Sequence, residues 1–471
     1  MNLKLQFVGA KNNLKAALIL IVFIAFQSNV IVAQDTEVKE EKTEKKEKVK
    51  KEKAPKEEKV ETAKIGVADK NAGAVKYRRS SLHTMIIEDA KLPKFDIILK
   101  TFNEAEFPDK YNNHTVGDKT FNLEQYYVGH PESADGEKVS KKEEKDLSPS
   151  INKYFADNKI ANKIVAKWFN RSADGAFDMS LIGERGSYDA SAQDAAKALS
   201  TERGTSMLAD AGEELIPNTF VVVNYSKFVE NEPIARAIKE TSYAMVAKSS
   251  EMVRKLAEAA ADKLYEKTKD GYSVWTTAYL YQLQWTDSMS AVFYQSLWMD
   301  ASNIDPAKKE AFDNMNLFEL KLLGYQKASS FISGLGENAK GGEEMIIKNA
   351  TLKSIDAVYA KLQRKFEPFR TKTPLVSSDP LGAKIGLKEG LEAGDKYEVL
   401  EQSFDAEGKV SYNRKGVIKV EKGKIWNNMF NAGETPVDEE GNPIEVDSSI
   451  EFTHFKGGKG FYPGMLLRQI D

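Results

Sequence analysis

The period of the hydrophobic pattern changes several times along the chain, and each change marks an element. From Ala16 to Phe26 the apolar run is unbroken, with Lys4, Lys11 and Lys15 before it and Gln27-Ser28-Asn29 and Ile31-Val32-Ala33 after it. A basic region, a short apolar region, a polar break and a small residue have the order of a secretory signal, cut after Ala33, so residues 1–33 are expected to be removed on export. The apolar core is short for a membrane span, and three polar residues interrupt the longer run to Ala33. From Glu37 to Glu61 nearly every position is Lys or Glu, broken by Ala54-Pro55. Residues 34–74 therefore read as a charged spacer, disordered or partly helical through Glu/Lys pairs four apart.

Globular patterning begins near Val75. Ser80–Glu88 alternates and then runs apolar, as a strand does, and Phe95, Ile98, Leu99 and Phe102 have helical spacing. Residues 75–137 form a first α/β unit, closed by polar turn material at 109–120 and a charged patch at 138–146. A central domain spans 148–367. It opens with a helical stripe over 151–170, capped by Ser148 or Ser150, and continues through a helix at 191–215 and the strand Thr219–Tyr225. Thr241–Lys267 reads as one long helix with Met245, Val246, Met252, Val253, Leu256 and Leu264 on one side. The strand Tyr272–Trp285 follows, and a turn at Thr286-Asp287-Ser288 leads into a partner strand at 291–299. A strand at 317–324, a glycine-rich loop at 334–342 and a helix at 351–365 complete the domain. Beyond Pro368 the texture becomes short strands and glycines, at 383–387, 396–401, 409–420, 424–426, 449–455 and 465–470, which predicts a small β-barrel or sandwich over 368–471. The expected class is α+β and multidomain: layered α/β units followed by that C-terminal unit.

Composition narrows the function more by exclusion than by indication. The 471 residues carry a formal charge of -3 and no cysteine. Near-neutrality disfavours nucleic-acid binding. Absence of cysteine excludes disulfides, thiol chemistry and a lipid-modified cysteine anchor. With no second apolar run of spanning length, no integral membrane span is expected after cleavage, and the destination is the periplasm, the outer membrane or the cell exterior. The four histidines, His83, His114, His130 and His454, form no HExxH motif or metal-ligand spacing. The doublets Glu213-Glu214 and Glu343-Glu344 point in different directions on any regular element and so make poor acid/base pairs. The glycines at 334–342 lack the Gly-Lys-Ser/Thr of a phosphate loop. No catalytic, cofactor-binding or metal-ligating residue is expected. The aromatic concentration around Trp275, Tyr279, Tyr281 and Trp285 is the strongest local signal. It reads as a carbohydrate or apolar-partner platform or, by its period-2 alternation, as a sheet core.

Two segments carry a resemblance. Ile385-Gly386-Leu387-Lys388-Glu389-Gly390-Leu391, Gly394-Asp395-Lys396-Tyr397-Glu398-Val399-Leu400, Gly416-Val417-Ile418-Lys419-Val420 and Tyr462-Pro463-Gly464-Met465-Leu466-Leu467-Arg468 together resemble the small β-barrel of envelope proteins of the flagellar-T and curli-secretion kind. Leu208–Tyr225 resembles the helix-to-strand step of the α/β domain found with such barrels. The resemblance implies an exported envelope family with a scaffolding or assembly role and envelope-protein partners, and it transfers no site residue. The expected function is therefore a non-enzymatic scaffold or assembly partner of a periplasmic or outer-membrane complex. The alternative is an exported hydrolase or carbohydrate-binding protein using Asp, Glu and aromatic side chains.

Overall fold

The computed structural model describes residues 79–108, 110–129, 146–188, 213, 215–333, 341–404, 410–428 and 450–470. The expected secretory signal and charged spacer, His130, nearly all of the 138–146 patch and of the helix expected over 191–215, and most of the 334–342 stretch lie outside these residues.

The body is built on one mixed sheet ordered β2-β1-β4-β5-β6, formed by Asn112–Asn113, Ser81–Glu88, Thr219–Glu230, Gly271–Leu283 and Leu320–Ser333. The short strand β3, Thr120–Asn122, pairs with the far end of β1. β1 runs parallel to β2, β3 and β4, whereas β4, β5 and β6 are antiparallel. β1 is buried on both faces, which is why its sequence runs apolar over Met85-Ile86-Ile87 where a half-exposed strand would alternate. Its pairing with Thr219–Asn224 corrects the domain reading: the stretches 75–137 and 148–367 contribute to a single sheet.

Helices cover both sheet faces. On one side lie α1 (Phe95–Glu104) and the long α9 (Gly342–Lys365), which pack Phe95, Ile98, Ile347, Val358 and Leu362 against Ile86, Phe220, Val222 and Leu280. Ion pairs from Lys94 to Glu343 at 2.8 Å and from Lys100 to Glu344 at 3.0 Å join α1 to the start of α9, which gives that acidic doublet a bracing role. On the other side α2 (Ser148–Asp157), α3 (Ile160–Trp168), α4 (Ser180–Tyr188), α7 (Asp287–Val292) and α8 (Pro306–Asn314) surround an aromatic core of Trp168, Phe169, Phe177, Phe293 and Phe312.

Local chemistry sets several boundaries differently from the pattern. The stripe over 151–170 is two helices, because Lys159 takes a left-handed φ of 51° between them. Asp146 accepts from the Ser148 amide at 2.9 Å, so it fills the capping place expected of a serine. Thr286 likewise caps α7, accepting from the Met289 amide at 3.3 Å, so 287–297 is helical and no partner strand forms there. The single helix expected over 241–267 is a hairpin, α5 (Asn231–Val246) and α6 (Glu251–Thr268), inserted between the neighbouring strands β4 and β5.

The C-terminal unit is a closed barrel ordered β10-β11-β8-β7-β12-β9, as its strand spacing predicts. Its strands are Thr373–Ser378 (β7), Leu381–Ala383 (β8), Lys396–Phe404 (β9), Val410–Val420 (β10), Thr453–Lys456 (β11) and Leu466–Ile470 (β12). β7 escaped the pattern, while 424–426 makes only an isolated bridge from Trp426 to Gly386. The lumen is filled by Leu375, Ile385, Val399, Ile418, Phe455 and Leu467, so it is a packed core. No described helix is long and apolar enough to cross a membrane.

Candidate functional site

The four aromatic residues singled out from sequence do not form one exposed surface. Along β5, Tyr279 and Tyr281 are 1% and 0% exposed, in the aromatic core. The Leu147 amide donates to the Tyr279 hydroxyl at 2.9 Å, and Phe155 meets the Tyr281 ring edge-on. Trp285 stacks on Phe318, with ring centroids 5.9 Å apart. Trp275 is partly open, placed on the sheet between Lys227 of β4 and Ser329 of β6, and Trp285 too is only partly buried. The period-2 alternation was thus the signature of a buried strand.

Sequence reasoning passed over a buried polar cluster at the start of β1 and β4. Arg185 of α4, buried, donates to Ser81 Oγ at 2.9 Å and to the Asn113 carbonyl at 3.1 Å, and its guanidinium lies 4.4 Å from the Trp168 ring centroid. The Trp168 indole donates to Thr219 Oγ1 at 2.8 Å. His114 Nε2 donates to the Ile164 carbonyl at 2.9 Å, which leaves Nδ1 as the acceptor for Arg185 at 2.9 Å. Burial, and then the Arg185 charge, hold the His114 pKa well below the usual histidine range, so the ring is a neutral acceptor. Nearby, burial lowers the pKa of His83 to about 4, an effect only partly offset by the Asp118 main chain and carboxylate. Neither His83 ring nitrogen meets the geometry of a hydrogen bond. The Gly183-Glu184-Arg185-Gly186 segment is helical and supplies the cluster's cation.

A cavity of about 500 Å³ lies against this cluster, lined by Ala166, Lys167, Asn170, Arg171, Ser180, Leu181 and Glu184. Lys167 donates to the Thr115 carbonyl at 2.5 Å, and burial followed by Arg185 lowers its pKa. Arg171 is engaged by Asp313 at 2.5 Å and lies over the Phe312 ring at 4.4 Å. A second cavity of about 490 Å³ at the base of the α5/α6 hairpin is bordered by Glu230, Glu232, Asp270 and Glu343. Its acids are partly taken up already, Glu343 by Lys94 at 2.8 Å and Glu232 by Arg236 at 2.6 Å. Among the described residues no group of three or more His, Asp or Glu is placed to hold a metal ion.

The best-built polar contact is the seam between α9 and the barrel. Arg364 reaches Asp395 at 2.9 Å and also donates to the Gly390 carbonyl. Gly390 holds a left-handed φ of 70°, and a Cβ there would come within 2.8 Å of Ala360 on α9, so this close approach needs glycine. Arg370 donates to the Gln469 carbonyl at 3.2 Å, and Arg468 reaches Glu367 at 3.4 Å. Lys110 of the body donates to the barrel's Lys384 carbonyl at 2.7 Å and lies 4.0 Å from Glu389, which accepts from the Gly386 amide at 2.7 Å and from Asn428 at 2.8 Å. Asp356 of α9 borders this group. Burial raises its carboxyl pKa to about 6, with Lys388 opposing the shift and Glu389 adding to it. This arrangement fastens two folded units and leaves Asp356 proton-sensitive. Compared with protein-family models and with curated proteins, the chain matches none.

Proposed function

We propose that the protein is a non-enzymatic component of the bacterial cell envelope, exported and acting as a scaffold or assembly partner of a periplasmic or outer-membrane complex. The observation that carries this reading is the α9–barrel seam. Arg364, Arg370, Arg468 and Lys110 each cross it, so the body and the barrel are held in one set relation. A scaffold needs two presenting surfaces at a defined separation, and such a seam supplies that. The packed barrel lumen and the buried tyrosines of β5 also leave neither place as a substrate groove.

The test is crosslinking of the tagged protein in intact cells followed by recovery from envelope extracts. The same envelope proteins are expected in replicate recoveries from the native chain and reduced recovery from an Arg364→Glu variant. Absence of any reproducible partner, or turnover of an envelope polysaccharide or peptide by the purified protein, overturns the reading.

A further inference from the structure

The α5/α6 hairpin is two-faced, and its two sides differ in charge as well as in polarity. At 3.6 residues per turn, Ile234, Ile238 and Met245 share one flank of α5. The antiparallel return of α6 brings Met252 and Leu256 to the same flank. Met245, Met252 and Leu256 are 51%, 65% and 44% exposed, in contrast to Val246 and Ala257, which pack between the helices. The charged residues along this flank are lysines, Lys248 in the turn and Lys263 and Lys267 on α6, all exposed, while Glu251 and Glu266 at its margin are paired with Lys255 at 2.8 Å and Lys269 at 2.7 Å. Three further carboxylates are gathered on the other flank. There Asp262 takes Lys239 at 2.6 Å and the Tyr243 hydroxyl at 2.7 Å, Glu232 takes Arg236 and Tyr265, and Glu258 lies 3.8 Å from Arg254.

An apolar ridge with lysines along it, on helices too polar to span, has the chemistry of an element lying in the plane of a lipid surface. The methionine and leucine side chains would enter the headgroup–acyl boundary, and the lysine stems would extend along it with their ammonium groups at anionic headgroups. We propose that this flank of the α5/α6 hairpin binds anionic lipid, seating the protein on a membrane surface without crossing it. The three lysines along the apolar flank are the complement of anionic headgroups above an acyl layer.

The proposal goes beyond the scaffold reading and is tested without any partner protein. The chain beginning at Gln34 is mixed with phosphatidylglycerol/phosphatidylethanolamine vesicles or with phosphatidylcholine vesicles and floated. Binding to the first and not to the second is expected. Met252→Ser combined with Leu256→Ser is expected to weaken it about tenfold, as is Lys263→Glu combined with Lys267→Glu. These positions are exposed, and unchanged far-ultraviolet circular dichroism would confirm that the variants fold. Failure of the unaltered chain to float with anionic vesicles, or flotation of both variants undiminished from that of the unaltered chain, overturns the proposal. So does a photo-crosslinker at position 252 that labels a protein rather than lipid in intact cells.

Discussion

The Arg364 guanidinium and the Asp395 carboxylate meet at 2.9 Å across the seam between α9 and the barrel, and the same guanidinium reaches the carbonyl of Gly390. One side chain thus holds both the turn that opens β9 and the helix that ends the body. Arg364→Ala removes both contacts and leaves Asp395 with the Glu392 amide at 2.9 Å but without its arginine. A loss of about 1–2 kcal/mol is expected, since the arginine is partly exposed. Scanning calorimetry checks it: the transition should broaden or divide as the barrel uncouples. A single transition at an unchanged temperature would show that the seam is held by other contacts.

Asp356 gives the protein a measurable pH signature. Its folded pKa, raised by burial to about 6, exceeds the ordinary value of 3.8, so the stability associated with its protonated form is complete below about pH 4 and is lost as pH rises through 6. The ionised form costs up to about 3 kcal/mol at neutral pH. Asp356→Asn should therefore stabilise the protein at pH 7.5 by about 1–3 kcal/mol and flatten that part of the profile. Urea denaturation from pH 4 to 7.5 measures both.

His83 acts in the opposite direction. Burial depresses its pKa from 6.5 to about 4, so the stability of the neutral ring is present above pH 6.5 and declines as pH falls from 6.5 towards 4. The full shift corresponds to about 3 kcal/mol. His83→Leu, similar in volume, removes both buried nitrogens and should lessen the acid loss over that interval. The neighbouring His114, also depressed, keeps a residual slope. An unaltered acid midpoint would show that His83 is not the group protonated.

Two tyrosines on β5 offer a matched pair. Tyr279→Phe leaves the buried Leu147 amide without its acceptor and should cost about 1–3 kcal/mol. Tyr281→Phe removes a buried hydroxyl that has no hydrogen-bond partner, and should be neutral or stabilising by about 1 kcal/mol. Thermal denaturation of the two variants side by side decides it, and the same sign for both would refute the hydrogen-bond assignment.

What could be read from the sequence was what local physics controls. The barrel was legible because short strands and positive-φ glycines such as Gly394 and Gly464 punctuate it at regular intervals. β1 was legible as a strand, but its place beside β4 was not, since parallel pairing across more than a hundred residues leaves no local mark. The apolar residues of 241–267 were read as one side of a single long helix. Helical spacing identifies a face and says nothing of what faces it, and the break at 247–250 turns Met245, Met252 and Leu256 outward. The aromatic run on β5 was ambiguous for the same reason, and burial decided for the core. Arg185, Asp356 and Arg364 gave no signal, because each acquires its role from partners that only the fold brings near.

The hairpin's point of insertion has a consequence for how the chain can change. β4 and β5 are adjacent antiparallel strands, and their last pair, Glu230 with Tyr272, already closes the ladder where α5 and α6 depart. A two-residue turn would satisfy the same closure, because the ends of the intervening segment meet whatever its length. Residues 231–270 are in that sense a cassette: excision, extension or exchange alters what the protein carries outward while the register of the sheet is kept. The region best suited to touch the protein's surroundings is also the region the fold can most readily do without.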